Sequence, residues 1–178
     1  MRVDAWSGPF AVVTLLLAAA GAMKVRDPAA TVGALRALGA PVPPIAVRVG
    51  GAIEVVIGVA ALITGGPVLA VLVALSYLAF TVFVVTARAR RLPIGSCGCF
   101  GKVDTPPSVV HVVLNLVAMV VATGAAISGG AGLVDGLGDL PAFGLPFVVL
   151  VLTGTYLAFL ALTALPQLIA LTRAPETA

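Results

Sequence analysis

An all-α, polytopic membrane bundle of about five transmembrane helices plus one short interfacial helix is the fold class this sequence predicts. Three observations predict it. Of 178 residues, 61% are hydrophobic and 10% charged, with a mean hydropathy of +1.20, against about 45–50% apolar and about 25% charged in a soluble domain. Five sparsely charged stretches approach or exceed the roughly 20 residues that a helix needs to cross the hydrocarbon core. The 20 Gly and 13 Pro punctuate these apolar runs, and membrane helices tolerate both residues better than soluble ones do. The composition excludes a soluble globular enzyme. The net charge of +3 comes from scattered residues with no basic stripe to follow phosphates, so no nucleic-acid partner is expected. The lipid bilayer is the expected surrounding, and the cell membrane the expected location.

The first span is expected over about 6–23, ending at Lys24, Arg26 and Asp27. Its Ala-rich end resembles a signal-peptide cleavage region, but Asp4 disagrees with the positive n-region of such a peptide. From Pro28 to Pro44, Val32, Leu35 and Leu38 recur at helical spacing with Arg36 off their stripe, which predicts the short interfacial helix. Pro41, Pro43 and Pro44 end it. The second span, 45–64, and the third, 67–87, are separated by Gly65 and Gly66 alone, a link that forces an antiparallel hairpin. Arg88, Arg90 and Arg91 close the third. The loop 92–107 follows, with Cys97 and Cys99 in it. Ser108, after Pro106 and Pro107, is a candidate N-cap for the fourth span, 108–128. A Gly-rich loop leads to the fifth, 145–171, which is long enough to tilt and which Pro166 should kink or end late. The whole chain, 1–178, reads as one membrane domain, with no internal repeat of the kind transporters show.

The two cysteines stand one residue apart, a local pair rather than a framework. A C-x-C disulfide closes only if the backbone bends sharply, and Gly98 supplies that freedom. Strain of this kind favours a labile, oxidising couple. Lys102, His111 and the start of a helix lie close in sequence, and each would stabilise a thiolate. A redox pair is the leading reading. The alternatives are a passive disulfide or thiol pair, and half of a metal site that would need two further ligands. No metal is expected.

Glu54 falls near the middle of the second span, where an isolated charge costs several kcal/mol. It is a functional candidate, or else packing glue through hydrogen bonds to Tyr77, Ser76 or Asn115. His111 and Asn115 are four residues apart and share a helix face. At 1.5 Å per residue, Glu54 and Asn115 lie at similar depths, roughly 12–15 Å from the same side. These depths allow a polar column from the cysteine loop through His111 toward Glu54, if the second and fourth helices are neighbours.

These residues sit in a familiar order. The segments GAMKVRDPAATVGALRALGAP, VRVGGAIEVVIGVAALITGG, and CGCFG followed by HVVLN resemble the methylamine-utilisation MauE family, related to DoxX-like membrane proteins, over about residues 8–125. The resemblance implies a redox-associated membrane protein that works with a thioredoxin-like partner in forming disulfides or maturing a methylamine-dehydrogenase-like client. It carries the catalytic pair onto Cys97 and Cys99, and the supporting polar groups onto Glu54 and Lys24. Leu114 stands where the family commonly has Arg before the asparagine of the fourth helix.

The leading expectation is thus a membrane thiol-disulfide oxidoreductase or electron relay, with catalytic Cys97 and Cys99 supported by Glu54, His111, Asn115 and Lys24. No cofactor is required, although a quinone between the helices could exchange electrons with the pair, by analogy with vitamin K epoxide reductase. The second expectation is a non-enzymatic accessory subunit with CGCFG as a docking loop. Counted by side, one cation, Arg2, opposes nine, a bias that places the cysteine loop in the cytoplasm. Disulfide formation instead belongs outside the reducing cytosol. Both placements stay open.

Overall fold

The computed structural model describes residues 5–92, 94, 106–129, 132 and 144–173. Seven α-helices occupy them, with no strand among the described residues: α1 (Ser7–Arg26), α2 (Ala29–Ala37), α3 (Pro44–Thr64), α4 (Pro67–Ala89), α5 (Val109–Ser128), α6 (Gly144–Thr163) and α7 (Leu165–Arg173). Among the described residues, five spans are long and apolar enough to cross a membrane, the last running through α6 into α7. The chain is a multi-pass membrane protein. Cys97, Cys99 and Lys102 lie outside the described residues.

Helix boundaries follow local chemistry. Pro44 and Pro67 occupy first-turn positions, where the missing N–H costs nothing. Between α3 and α4, Gly65 and Gly66 take φ of 64° and 96°, a left-handed path that glycine adopts without a Cβ clash. This makes the hairpin expected from the two-residue link. The last span breaks at Ala164, because Pro166 has no N–H to continue the helical ladder and its ring crowds the preceding turn.

Packing is organised as two pairs. α1 lies along α3 and α4 along α5, with α1 also touching α5 and α6. The main core gathers Phe10, Val13 and Leu17 from α1, Ala61 from α3, Ala70, Val73 and Tyr77 from α4, and Ala118, Ala122 and Ala125 from α5. On α5 the buried residues His111, Asn115, Ala118, Ala122 and Ala125 form one stripe, so its two polar residues continue the face that packs on α4. Leu162 of α6 joins Leu16 and Ala20 in a smaller cluster. The outer faces of α3 and α4 expose Ile53, Val56, Val68, Leu75 and Val82, as helices bordered by lipid do, since acyl chains solvate them.

α1 is the most enclosed of the described spans and α3 much less so, yet the two pack backbone to backbone. A Cβ at Gly21 would stand 2.5 Å from the Gly51 carbonyl oxygen, one at Gly51 2.7 Å from that of Gly21, and one at Gly58 2.7 Å from that of Thr14. Small residues on both helices let the backbones touch, which is how membrane helices associate where lipid is as apolar as a leucine.

Candidate functional site

The glycine crossing of α1 on α3 places the last turn of one helix beside the third turn of the other. Gly21 and Gly51 face each other there, and the added Cβ at each would also meet the Cβ of Glu54 or Lys24. At this separation the Lys24 ammonium reaches the Glu54 carboxylate: Nζ donates to Oε2 at 2.5 Å, with side chains 8% and 16% exposed. A charge held in a span needs such a partner, because neither ion alone recovers its lost hydration. The ammonium also lies over the ring of Phe80 in α4, 4.4 Å from its centroid, an attraction that strengthens away from water.

This differs from the expectation that Glu54 is held by Tyr77, Ser76 or Asn115. The Tyr77 hydroxyl donates to the Val13 carbonyl at 2.7 Å and the Ser76 hydroxyl to its own helix at Leu72. Lys24 takes the carboxylate because the two glycines bring α1 closer to α3 than α4 or α5 comes. Tyr77 contributes indirectly, setting Phe80 edge-on with ring centroids 5.9 Å apart at 86°.

Around the pair is a half-open cavity of about 320 Å³, bounded by α3 and α4 and roofed by α2. Its walls are Val47, Ala46, Phe80, Phe83, Leu35 and Val42, with Lys24 and Glu54 on the inner side and Gly50 and Gly51 along its length. Val32 of α2 is buried and Arg36 exposed, as the amphipathic pattern anticipates, while Leu35 faces the cavity.

On the other side of Phe80, a small void of about 20 Å³ is lined by His111, Asn115, Tyr77 and Leu17, enough for about one water molecule. His111 and Asn115 are 1% and 6% exposed. Ser108 stands at the N-cap of α5, but its hydroxyl makes no cap bond to the helix backbone; it shares a hydrogen bond of 2.8 Å with His111 Nδ1. The structure therefore brings four predicted residues to two adjoining spaces, Lys24 with Glu54 and His111 with Asn115, separated by a shared aromatic wall.

The segment that carries Cys97 and Cys99 is anchored at both flanks. Arg88 Nη1 donates to the Pro107 carbonyl at 3.3 Å. Ile94 is buried with Ala34 of α2 and Ala87 of α4. The chain thus leaves and rejoins the described structure at the end of the bundle where α1 and α4 finish and α3 and α5 begin.

Phe80 and the facing glycines were not among the candidates from sequence. The glycines carried a signal, since Gly21, Gly51 and Gly58 fall inside spans where small residues mark helix contacts. Phe80 carried none, because one aromatic residue in an apolar run resembles any other core residue.

Residues 3–128 match the family described as methylamine utilisation protein MauE. No curated protein and no solved structure matches the chain.

Proposed function

The chain belongs to the MauE family, and on that basis we propose that it is a membrane thiol-disulfide oxidoreductase or electron relay acting in methylamine utilisation. Cys97 and Cys99 cycle between dithiol and disulfide and exchange with a thioredoxin-like partner, in maturation of a methylamine-dehydrogenase-like client. In the exchange a thiolate of one protein attacks the disulfide of the other. A mixed disulfide forms, and the second thiol displaces it, so two electrons and two protons change hands.

The observation that carries this reading is the spacing of the two cysteines, one residue apart around Gly98, in a segment tied down on both sides by the Arg88–Pro107 bond and the burial of Ile94. Both ties lie at the end of the bundle where α1 and α4 finish. The following helix α5 begins at that end, and its positive pole favours a thiolate. The charge bias supports a cytoplasmic loop, in which case the soluble partner is a cytosolic thioredoxin.

The test is a redox titration of the purified protein in detergent, following alkylation of Cys97 and Cys99. A single two-electron transition at a potential between about −270 and −120 mV, the span of thioredoxin-like couples, is the expected result. Thiols that never oxidise would overturn it in favour of an accessory subunit that uses CGCFG as a docking loop.

A further inference from the structure

We infer that the cavity between α3 and α4 binds the ring of a lipid-soluble quinone, with Lys24 and Glu54 as its polar contacts. Three observations lead there. The cavity of about 320 Å³ falls within the range of roughly 300–1,000 Å³ usual for small-molecule sites. It is bounded by membrane-spanning helices whose neighbouring surfaces expose Val49 and Ile53, so the occupant arrives through the bilayer and must be apolar over most of its surface. And its polar wall is a paired cation and anion, not a single charge.

That pairing selects the ligand. Lys24 has three N–H groups, of which one is given to Glu54 while the ring of Phe80 covers another direction; a carbonyl oxygen is the neutral acceptor that a remaining N–H suits. The Glu54 carboxylate beside it accepts from a hydroxyl. A donor and an acceptor side by side fit both states of a molecule that interconverts carbonyl and phenol. A phospholipid headgroup gains less, since the site carries no net charge to attract its phosphate. Phe80 and Phe83 supply faces and edges for a flat ring.

What the bound molecule does rests on the proposed redox function. The dithiol of Cys97 and Cys99 loses two electrons and two protons on closing its S–S bond, and the quinone takes up both to become the quinol. Binding itself does not depend on the cysteines, which allows the two readings to fail separately.

Gly50 provides the test. It lines the cavity, yet a Cβ built there meets nothing within 4 Å, so Gly50→Leu should project into the cavity without disturbing the crossing at Gly51. Gly33, exposed on α2 and equally open, is the control. Thermal unfolding of the purified full chain in detergent is followed against ubiquinone-1. Saturable stabilisation is expected for the unchanged protein, for Gly33→Leu and for the Cys97→Ser/Cys99→Ser double variant, with binding about tenfold or more weaker in Gly50→Leu. Phe83→Leu should weaken it too, which keeps the test valid if Gly50→Leu does not fold. Absence of saturation in the unchanged protein, or equal affinity in the cavity variants, overturns the inference. So does equal, competing stabilisation by dihexanoylphosphatidylcholine, which would make the cavity a lipid pocket. A double cysteine variant that binds ubiquinone-1, combined with a pair that never oxidises in the titration, would sink the redox reading alone.

Discussion

Lys24 and Glu54, thirty residues apart in the chain, meet at 2.5 Å between the last turn of α1 and the third turn of α3, both inside membrane-spanning helices. Their meeting depends on two glycines whose backbones touch. Removing either charge strands the other in a medium that cannot hydrate it. Glu54→Gln and Lys24→Met should each destabilise the fold by about 3 kcal/mol, and the double variant should recover much of the loss. A double-mutant cycle on chemical or thermal unfolding measures the coupling; additive losses would contradict it.

The glycine crossing makes a second, sharper comparison. Gly51→Ala must push a methyl group into the Gly21 carbonyl and the Lys24 side chain, at 2.7 and 2.8 Å, and should cost about 1–3 kcal/mol as overpacking does. At Gly50, one residue away with open space around it, the same change should be neutral or stabilising by up to about 1 kcal/mol, as Ala is a better helix former. Unfolding midpoints of the two variants, measured side by side, should move in opposite directions or at least differ clearly.

His111 is held by Ser108 although buried to 1% exposure. Ser108→Ala removes one partner of an enclosed ring nitrogen and should destabilise by about 1–2 kcal/mol, whereas Ser108→Thr keeps the hydroxyl and should retain most of the stability. A cap residue acting on the backbone would instead tolerate Asp or Asn at this position. Those two substitutions therefore distinguish side-chain pairing from capping.

For the cysteines, replacement of either by Ser should abolish exchange while leaving membrane insertion intact. A mixed disulfide with the soluble partner should be trapped when only the resolving cysteine is lost. Cys99 is the better candidate for the attacking thiol, since it lies nearer in sequence to Lys102 and to the start of α5. Full activity in both single variants would remove the redox function.

Labelling Cys97 and Cys99 with an impermeant maleimide from each side of sealed vesicles decides the compartment. The charge bias predicts reaction from the cytoplasmic side. Reaction from the opposite side would instead make the pair part of an extracytoplasmic disulfide pathway.

Much of the fold was legible in the chain before any tertiary contact. The spans follow from apolar length, the hairpin from Gly65 and Gly66, the break in the last span from Pro166 and the small helix α2 from the spacing of Val32 and Leu35, because a bilayer obliges each span to satisfy its backbone within a helix. The face shared by His111 and Asn115 was equally plain from their separation of four. What only the tertiary structure decided is which helix stands beside which, and hence who holds Glu54. Asn115, at similar depth, and Tyr77 and Ser76 were the partners that the sequence offered, and Lys24 was not among them; depth is set by position along one helix, but proximity across helices is set by how closely two backbones can approach. Gly21 and Gly51 permit that approach for α1 and α3, and Phe80 then completes the cavity from a third helix, a convergence of side chains that local pattern does not encode.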